Sequence, residues 1–314
     1  MNATYTYDED TATITISGKG LVKASSFEFN KDVERLVINE GITGIGREAF
    51  YSCDRLFDIS LPSTLLYIGE SAFSWCDSLG KVEIPEGVKR IYDFAFENCE
   101  NLNDVSFPST LTSIGECAFA YDYGFTSIAV PDTVKTVGDS AFGDVNNVEY
   151  SGTLSTTDWG AKTVNGCVDG YLVYTDGTKT KLTGCSALAT AVEVPATVQE
   201  IGNYAFRFCN KLTDLSLAEG LVTIDEGAFE NCTELYDVTF PKTLKTIGKY
   251  AFSVCESLTD IVIPENVTEV GEGAFNFCQY LNSVKLPDGL AAVKPSLFSA
   301  CERLQKVNIP SSAK

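Results

Sequence analysis

An Ala-Phe pair returns along this chain at a fixed interval, and that interval limits the fold more than any other feature. The aromatic falls at Phe50, Phe73, Phe96, Phe119 and Phe142, then at Phe206, Phe229, Phe252 and Phe275, with a Leu-Phe pair supplying Phe298; within each group the spacing is 23 residues. Around this anchor the unit reads L-x-x-V-x-I-P-x-x-V-x-x-I-G-x-x-A-F-x-x-C, as in LGKVEIPEGVKRIYDFAFENCEN from Leu79 to Asn101. One such unit cannot bury its own apolar face, so the copies must stack into a solenoid.

The L-x-x-V-x-I stretch alternates at the period of a strand, and equivalent strands one coil apart pair only in parallel. Nine of the ten prolines, among them Pro62, Pro85, Pro108, Pro131, Pro241 and Pro264, follow it directly. There a missing backbone N–H ends the ladder at little cost. The V-x-x-I-G stretch reads as a second short extended piece, and x-x-A-F-x-x-C as a helical turn that drops Phe and Cys into the core. The fold expected is therefore an α/β repeat solenoid of leucine-rich-repeat type, a horseshoe or right-handed superhelix. It has one long parallel concave sheet, with short strands or helical turns on the convex side. The recurring glycine of I-G (Gly46, Gly69, Gly115, Gly138, Gly202, Gly248, Gly271) is replaced by Tyr92, Asp225 and Lys294 in other coils. That argues for close approach between coils rather than a left-handed backbone.

Between Phe142 and Phe206 the period lapses. Taking Ile128, Val148, Leu172 and Val192 as equivalent strand centres gives steps of 20, 24 and 20 residues, which favours one continuous stack. The expected organisation is an N-terminal hairpin cap over 1–32 and a first repeat group over 33–147. Irregular coils with a projecting hairpin follow over 148–191, and a second repeat group over 192–314. The last strand centre, Val307-Asn-Ile-Pro310, has nothing behind it, so an end-to-end dimer through this uncapped coil is expected, or a longer parent chain.

The formal charge of -20, from 23 basic and 43 acidic residues, would repel phosphate backbones and anionic headgroups, and nucleic acid is excluded as a partner on this ground. No run of eighteen apolar residues is present, so membrane insertion is not expected. The chain has no histidine, which removes Ser-His and Cys-His nucleophile pairs and histidine-ligated zinc. No catalytic residue, metal or cofactor is assigned.

Eight cysteines lie three residues after the repeat aromatic: Cys53, Cys76, Cys99, Cys209, Cys232, Cys255, Cys278 and Cys301. They read as a column of buried thiols filling one core slot, whereas Cys167 and Cys185 would bridge the irregular coils if near each other. Trp75 and Tyr121, with Phe208 and Phe277, share a column and read as core filler. The outward positions of the strands carry Asp58, Lys81 and Asp104 in the first group, and Asp214, Asp237, Asp260 and Lys285 in the second. These are the candidate ligand-binding residues. Three aspartates in one row suit calcium or a basic protein segment; as a solvated acidic row they need no ligand.

Repeats such as IPENVTEVGEGAFNFC, from Ile263 to Cys278, resemble the BspA-like, or Treponema pallidum-type, leucine-rich repeats. The opening YTYDEDTATITISGKG and the central DGYLVYTDGTKTKL resemble segments that accompany such repeats in secreted proteins of gut and oral bacteria. The resemblance implies an exported protein of the cell surface, its leader removed, that adheres to extracellular proteins or glycans without catalysis. The alternative it leaves open is a structural spacer within a longer surface protein.

Overall fold

The structure, a computed structural model, describes residues 3–310. It divides into two compact units, residues 1–165 and 166–314, each with its own hydrophobic core.

In the first unit the N-terminal hairpin is formed by Thr4–Asp8 and Thr13–Ser17, antiparallel with Tyr7 opposite Ile14. Its inner strand continues in parallel onto Arg35–Ile38 and then Asp58–Ser60, so the hairpin covers the first coil. Beyond this the expected single long sheet is broken. Lys81–Glu83 pairs with Asp104–Ser106, and Ile128–Ala129 with Val148–Glu149, each as a separate two-stranded piece. These strands are two or three residues long; in Lys81–Glu83, Asp104–Ser106 and Ile128–Ala129 proline follows within two residues, and the loss of one hydrogen bond suffices to end pairing. The V-x-x-I-G stretches carry the continuous sheet instead. Among the described residues of this unit six parallel strands, from Gly20–Val22 to Thr136–Val137, run in unbroken order with Ile45, Ile68, Ile91 and Ile114 in register.

The helical turn expected at x-x-A-F-x-x-C is absent, and no described residue is helical. The residue two before Phe and the residue two after it hold a positive φ, as at Glu48 (53°) and Ser52 (54°), or Ser71 (50°) and Trp75 (63°). A right-handed helix cannot run through either position. The N–H groups a helix would use inwardly go to the next coil. Glu48, Phe50 and Ser52 donate to the carbonyls of Glu70, Ala72 and Ser74 at 2.8, 2.9 and 2.8 Å, and the pattern repeats coil after coil. The turn is thus a third ladder of the solenoid.

Inside, the repeat phenylalanines stack face to face. Centroids from Phe27 through Phe50, Phe73, Phe96 and Phe119 to Phe142 are 5.2–5.9 Å apart, all within 10° of parallel. Trp159 closes the stack at 5.7 Å from Phe142. It belongs to a shortened coil: Phe142 N donates to Trp159 O, and Val148 bridges to Val164 rather than to Leu172.

In the second unit Leu172 lies in an antiparallel meander of Cys167–Asp169, Leu172–Tyr174 and Lys181–Cys185. It is therefore not a coil strand. The hairpin expected in this region is present as part of this meander, with its turn at Thr175 to Thr178 exposed. Leu172, Val173 and Tyr174 are buried, and Lys181–Leu182 pairs in parallel with Glu200–Ile201, starting a ladder that runs to Glu269–Val270. The meander covers the end of that unit's core as the N-terminal hairpin covers the other. Cys167 and Cys185 sit on its two outer strands, and neither is in a disulfide. Two strand spacings, about 10 Å, exceed the roughly 7 Å that a disulfide spans between Cα atoms.

The glycines of I-G are explained by close approach. A Cβ on Gly69 would stand 2.5 Å from Ile45 O, on Gly138 2.3 Å from Glu116 N, and on Gly271 2.4 Å from Lys249 N. All of these are backbone atoms of the preceding coil, which cannot move without opening the ladder. Gly69→Ala is expected to lower stability by about 1–3 kcal/mol, the usual cost of overfilling a close-packed site. The urea midpoint should fall at an unchanged slope. An unchanged midpoint would show that neighbouring coils can separate without loss.

Candidate binding site on the strand face

The outward positions of the strands in the L-x-x-V-x-I stretches alternate with Val and Ile that fill the core, so their side chains are placed in solvent by strand geometry alone. In the first unit Asp58 lies opposite Arg35, whose Nε is 3.7 Å from its Oδ2. Lys81 lies opposite Asp104, and its Nζ reaches Glu83 Oε1 at 3.0 Å and Asp104 Oδ2 at 3.4 Å. The hydrogen bonds it donates to Glu83 first and Asp104 second raise its pKa. These groups are exposed, and such pairs contribute little to stability. Asp58 and Lys81 face each other across a groove of 520 Å³ that also takes in Phe57, Ser60 and Glu83.

The second unit has a groove of equal size, 520 Å³, lined by Glu193, Thr213, Asp214, Ser216, Tyr236 and Asp237. Asp214 and Asp237 therefore meet here, with Thr213 Oγ1 donating to Asp214 Oδ2 at 2.9 Å. Glu193 and Tyr236 were not among the sequence candidates. Glu193 was legible as the outward residue before Val194-Pro195 in the preceding coil. Tyr236, half exposed, precedes Asp237 in a stretch that forms no strand, and it carries no repeat signal. Asp260 and Lys285 lie elsewhere. Asp260 is on a separate three-stranded sheet, where its carboxylate accepts from Ser283 Oγ, and Lys285 turns its Nζ to Glu265 Oε1 at 3.2 Å. Among the described residues no three side chains of His, Cys, Asp or Glu are gathered to hold a metal ion.

The cysteine column is structural. None of the eleven cysteines is in a disulfide, and seven of the column thiols donate to the carbonyl of the preceding coil's repeat aromatic, as Cys76 Sγ does to Phe50 O at 3.3 Å and Cys99 Sγ to Phe73 O at 3.1 Å. Burial pushes the Cys53 thiol up to about 12 and Cys76 and Cys99 well above the ordinary value, so these groups remain protonated donors.

Asp122 takes the column's place in one coil. Its Oδ1 accepts from Cys99 N at 2.7 Å, whereas Oδ2 is buried without a hydrogen-bond partner. Burial raises its pKa well above the usual carboxylate range. An acid with a raised folded-state pKa favours the folded state fully only below its unfolded value, near 4, and that advantage is lost as pH rises toward the folded value. Asp122→Cys should therefore stabilise the protein at neutral pH by about 1–3 kcal/mol, the cost of one unsatisfied buried polar group. At about pH 4, near the unfolded value, the gain should shrink. Thermal unfolding of both proteins at the two pH values measures this, and an equal gain at both would rule out the ionisation account.

Trp75, Tyr121 and Phe277 are not core filler: they are 45%, 43% and 49% exposed, because the positive φ at their position turns the side chain away from the stack.

Comparison with known proteins places this architecture. Six copies of the BspA type leucine rich repeat region match residues 21–149 and 199–314. The pneumococcal vaccine antigen PcpA shares the fold, with 20% identity, a TM-score of 0.54 and coverage of 99% of this chain and 86% of its own. A leucine rich cell surface protein of Faecalibacterium prausnitzii is 25% identical over 96% of this chain and 92% of its own, at a TM-score of 0.49. The T. pallidum leucine rich repeat protein is 22% identical over 74% and 88%, at a TM-score of 0.37. None of the curated proteins matches the sequence.

Proposed function

Because the chain belongs to the BspA-type leucine-rich-repeat family, with matches over residues 21–149 and 199–314, we propose that it is a non-catalytic binding protein displayed outside a bacterial cell. In this reading its strand face takes up a basic segment of an extracellular protein.

The observation that carries the reading is the groove at Asp214, Asp237 and Glu193, where three carboxylates and the exposed ring of Tyr236 line one open depression of 520 Å³. A flexible basic segment suits it better than calcium, because no described trio of ligands is gathered tightly enough for an ion. The surrounding charge of -20 steers cationic partners from a distance and screens away with salt. Tyr236 adds an amphipathic anchor of the kind that concentrates binding energy. The absence of histidine from the chain supports the non-catalytic part of the reading. Among the described residues no helix is long and apolar enough to cross a membrane.

The test is binding of the whole chain to immobilised extracellular-matrix proteins and mucins at low and high salt, against the variant carrying Asp214→Ser, Asp237→Ser and Asp260→Ser. Serine already occupies outward positions at Ser60, Ser106 and Ser216, so folding should be kept. Saturable, salt-sensitive binding that weakens at least about tenfold in the variant, a loss of about 1.4 kcal/mol, is the expected result. Binding that survives untouched would remove the groove from the account, and silence across the array would leave the spacer role as the better description.

A further inference from the structure

The turn after each repeat aromatic carries a second column, one that folding alone does not explain. In the first unit its members are Phe29, Ser52, Trp75, Asn98, Tyr121 and Asp144, each 23 residues from the next. All six hold a positive φ, from 54° to 65°. Each donates its backbone N–H to the next coil, as Trp75 N does to Glu97 O at 2.9 Å and Tyr121 N to Gly143 O at 2.8 Å. The ladder therefore fixes every Cα of the column and the direction in which its side chain leaves.

Asn and Asp are the commoner non-glycine occupants of this backbone region, whereas a bulky aromatic there is costly. Local energetics would favour a polar residue on every rung. Instead aromatics take alternate rungs, and burial does not compensate them: Phe29, Trp75 and Tyr121 are 61%, 45% and 43% exposed. The intervening Ser52, Asn98 and Asp144 are partly buried, so the edge alternates raised rings with recessed hydrogen-bonding groups. The core phenylalanines measure the rise per coil, at 5.2–5.3 Å from Phe50 to Phe119. Successive exposed aromatics thus stand about 10 Å apart, two strand spacings along the stack, which is also the length of one disaccharide in an extended β-1,4-linked polysaccharide.

We propose that this edge binds an extended β-1,4-linked chain of neutral or N-acetylated hexoses, one disaccharide to every two coils. Alternate sugars of such a chain turn the same face to one side. Those sugars lay their C–H face on Phe29, Trp75 and Tyr121, and the sugars between present hydroxyl or amide groups to Ser52, Asn98 and Asp144. An α-linked chain coils and keeps no such period. The neighbouring column carries Asp54, Asp77 and Glu100, which lie close enough for like charge to act on Asp77, so sulfated or carboxylated chains are repelled.

The experiment is isothermal titration of the whole chain with chitohexaose and cellohexaose, beside maltohexaose and heparin. It is repeated on the double variant Trp75→Asn, Tyr121→Asn, which installs the residue the column already carries at Asn98. Binding of at least one β-linked hexamer is expected, with no binding of maltohexaose or heparin. The double variant should bind at least about tenfold more weakly, with its thermal midpoint unchanged or raised. Trp75→Tyr should retain most of the affinity. Failure of both β-linked hexamers to bind, equal binding of maltohexaose or heparin, or an unchanged affinity in the double variant would each overturn the proposal. The triple serine variant of the strand face separates the two readings, since it must keep its hexamer affinity whatever becomes of its protein ligand.

Discussion

The rest of this structure depends on handing the backbone hydrogen bonds of each Ala-Phe turn to the next coil. A short turn flanked by two left-handed residues satisfies only alternate N–H groups within itself, as Ala49 N does to Gly46 O and Tyr51 N to Glu48 O, and groups left unpaired beside a core are costly. Here Glu48, Phe50 and Ser52 donate to the carbonyls of Glu70, Ala72 and Ser74, so each coil is complete only when the next one is stacked on it. The other repeat features follow from that contact distance. Phenylalanine rings in neighbouring coils are brought to stacking range, Gly69 is forced by the backbone at 2.5 Å, and the Cys76 thiol can reach the Phe50 carbonyl.

This arrangement explains why cysteine suits a slot that needs no disulfide. The side chain must fill the volume of a small apolar residue and give one weak hydrogen bond to a buried carbonyl. Where Asp122 replaces it, the space is kept and its carboxylate accepts a hydrogen bond from Cys99 N, but the second oxygen is stranded and burial raises the pKa of the carboxyl. A single substitution within a regular column thus creates a local pH dependence that the repeat itself does not have.

Fixing the core so completely frees the outward positions. Every coil offers the same few solvent-facing sites in the same geometry, and their residues can vary without loss of the stack. Two faces show what such variation builds: grooves with carboxylates beside aromatic rings on the strand side, and the alternating aromatic and polar rungs along the turn edge. Both are assembled from residues in different coils, so neither is a local motif.

The sequence by itself determined that the repeats stack in coils of 23 residues, that the Ala-Phe pairs fill the core, and that Gly69 and its equivalents mark close approach. These are properties of period and side-chain size, which the sequence states directly. Only the tertiary structure decided that the Ala-Phe turn is a ladder rather than a helix, because Glu48 and Ser52 carry no local mark of a positive φ; the neighbouring coil imposes it. The same holds for Trp75 and Tyr121, whose size argued for the core while the backbone turned them outward. It holds too for the aspartate row. Asp214 meets Asp237 and Glu193 in one groove while Asp260 pairs with Ser283, because pairing between coils breaks where the sequence period does not.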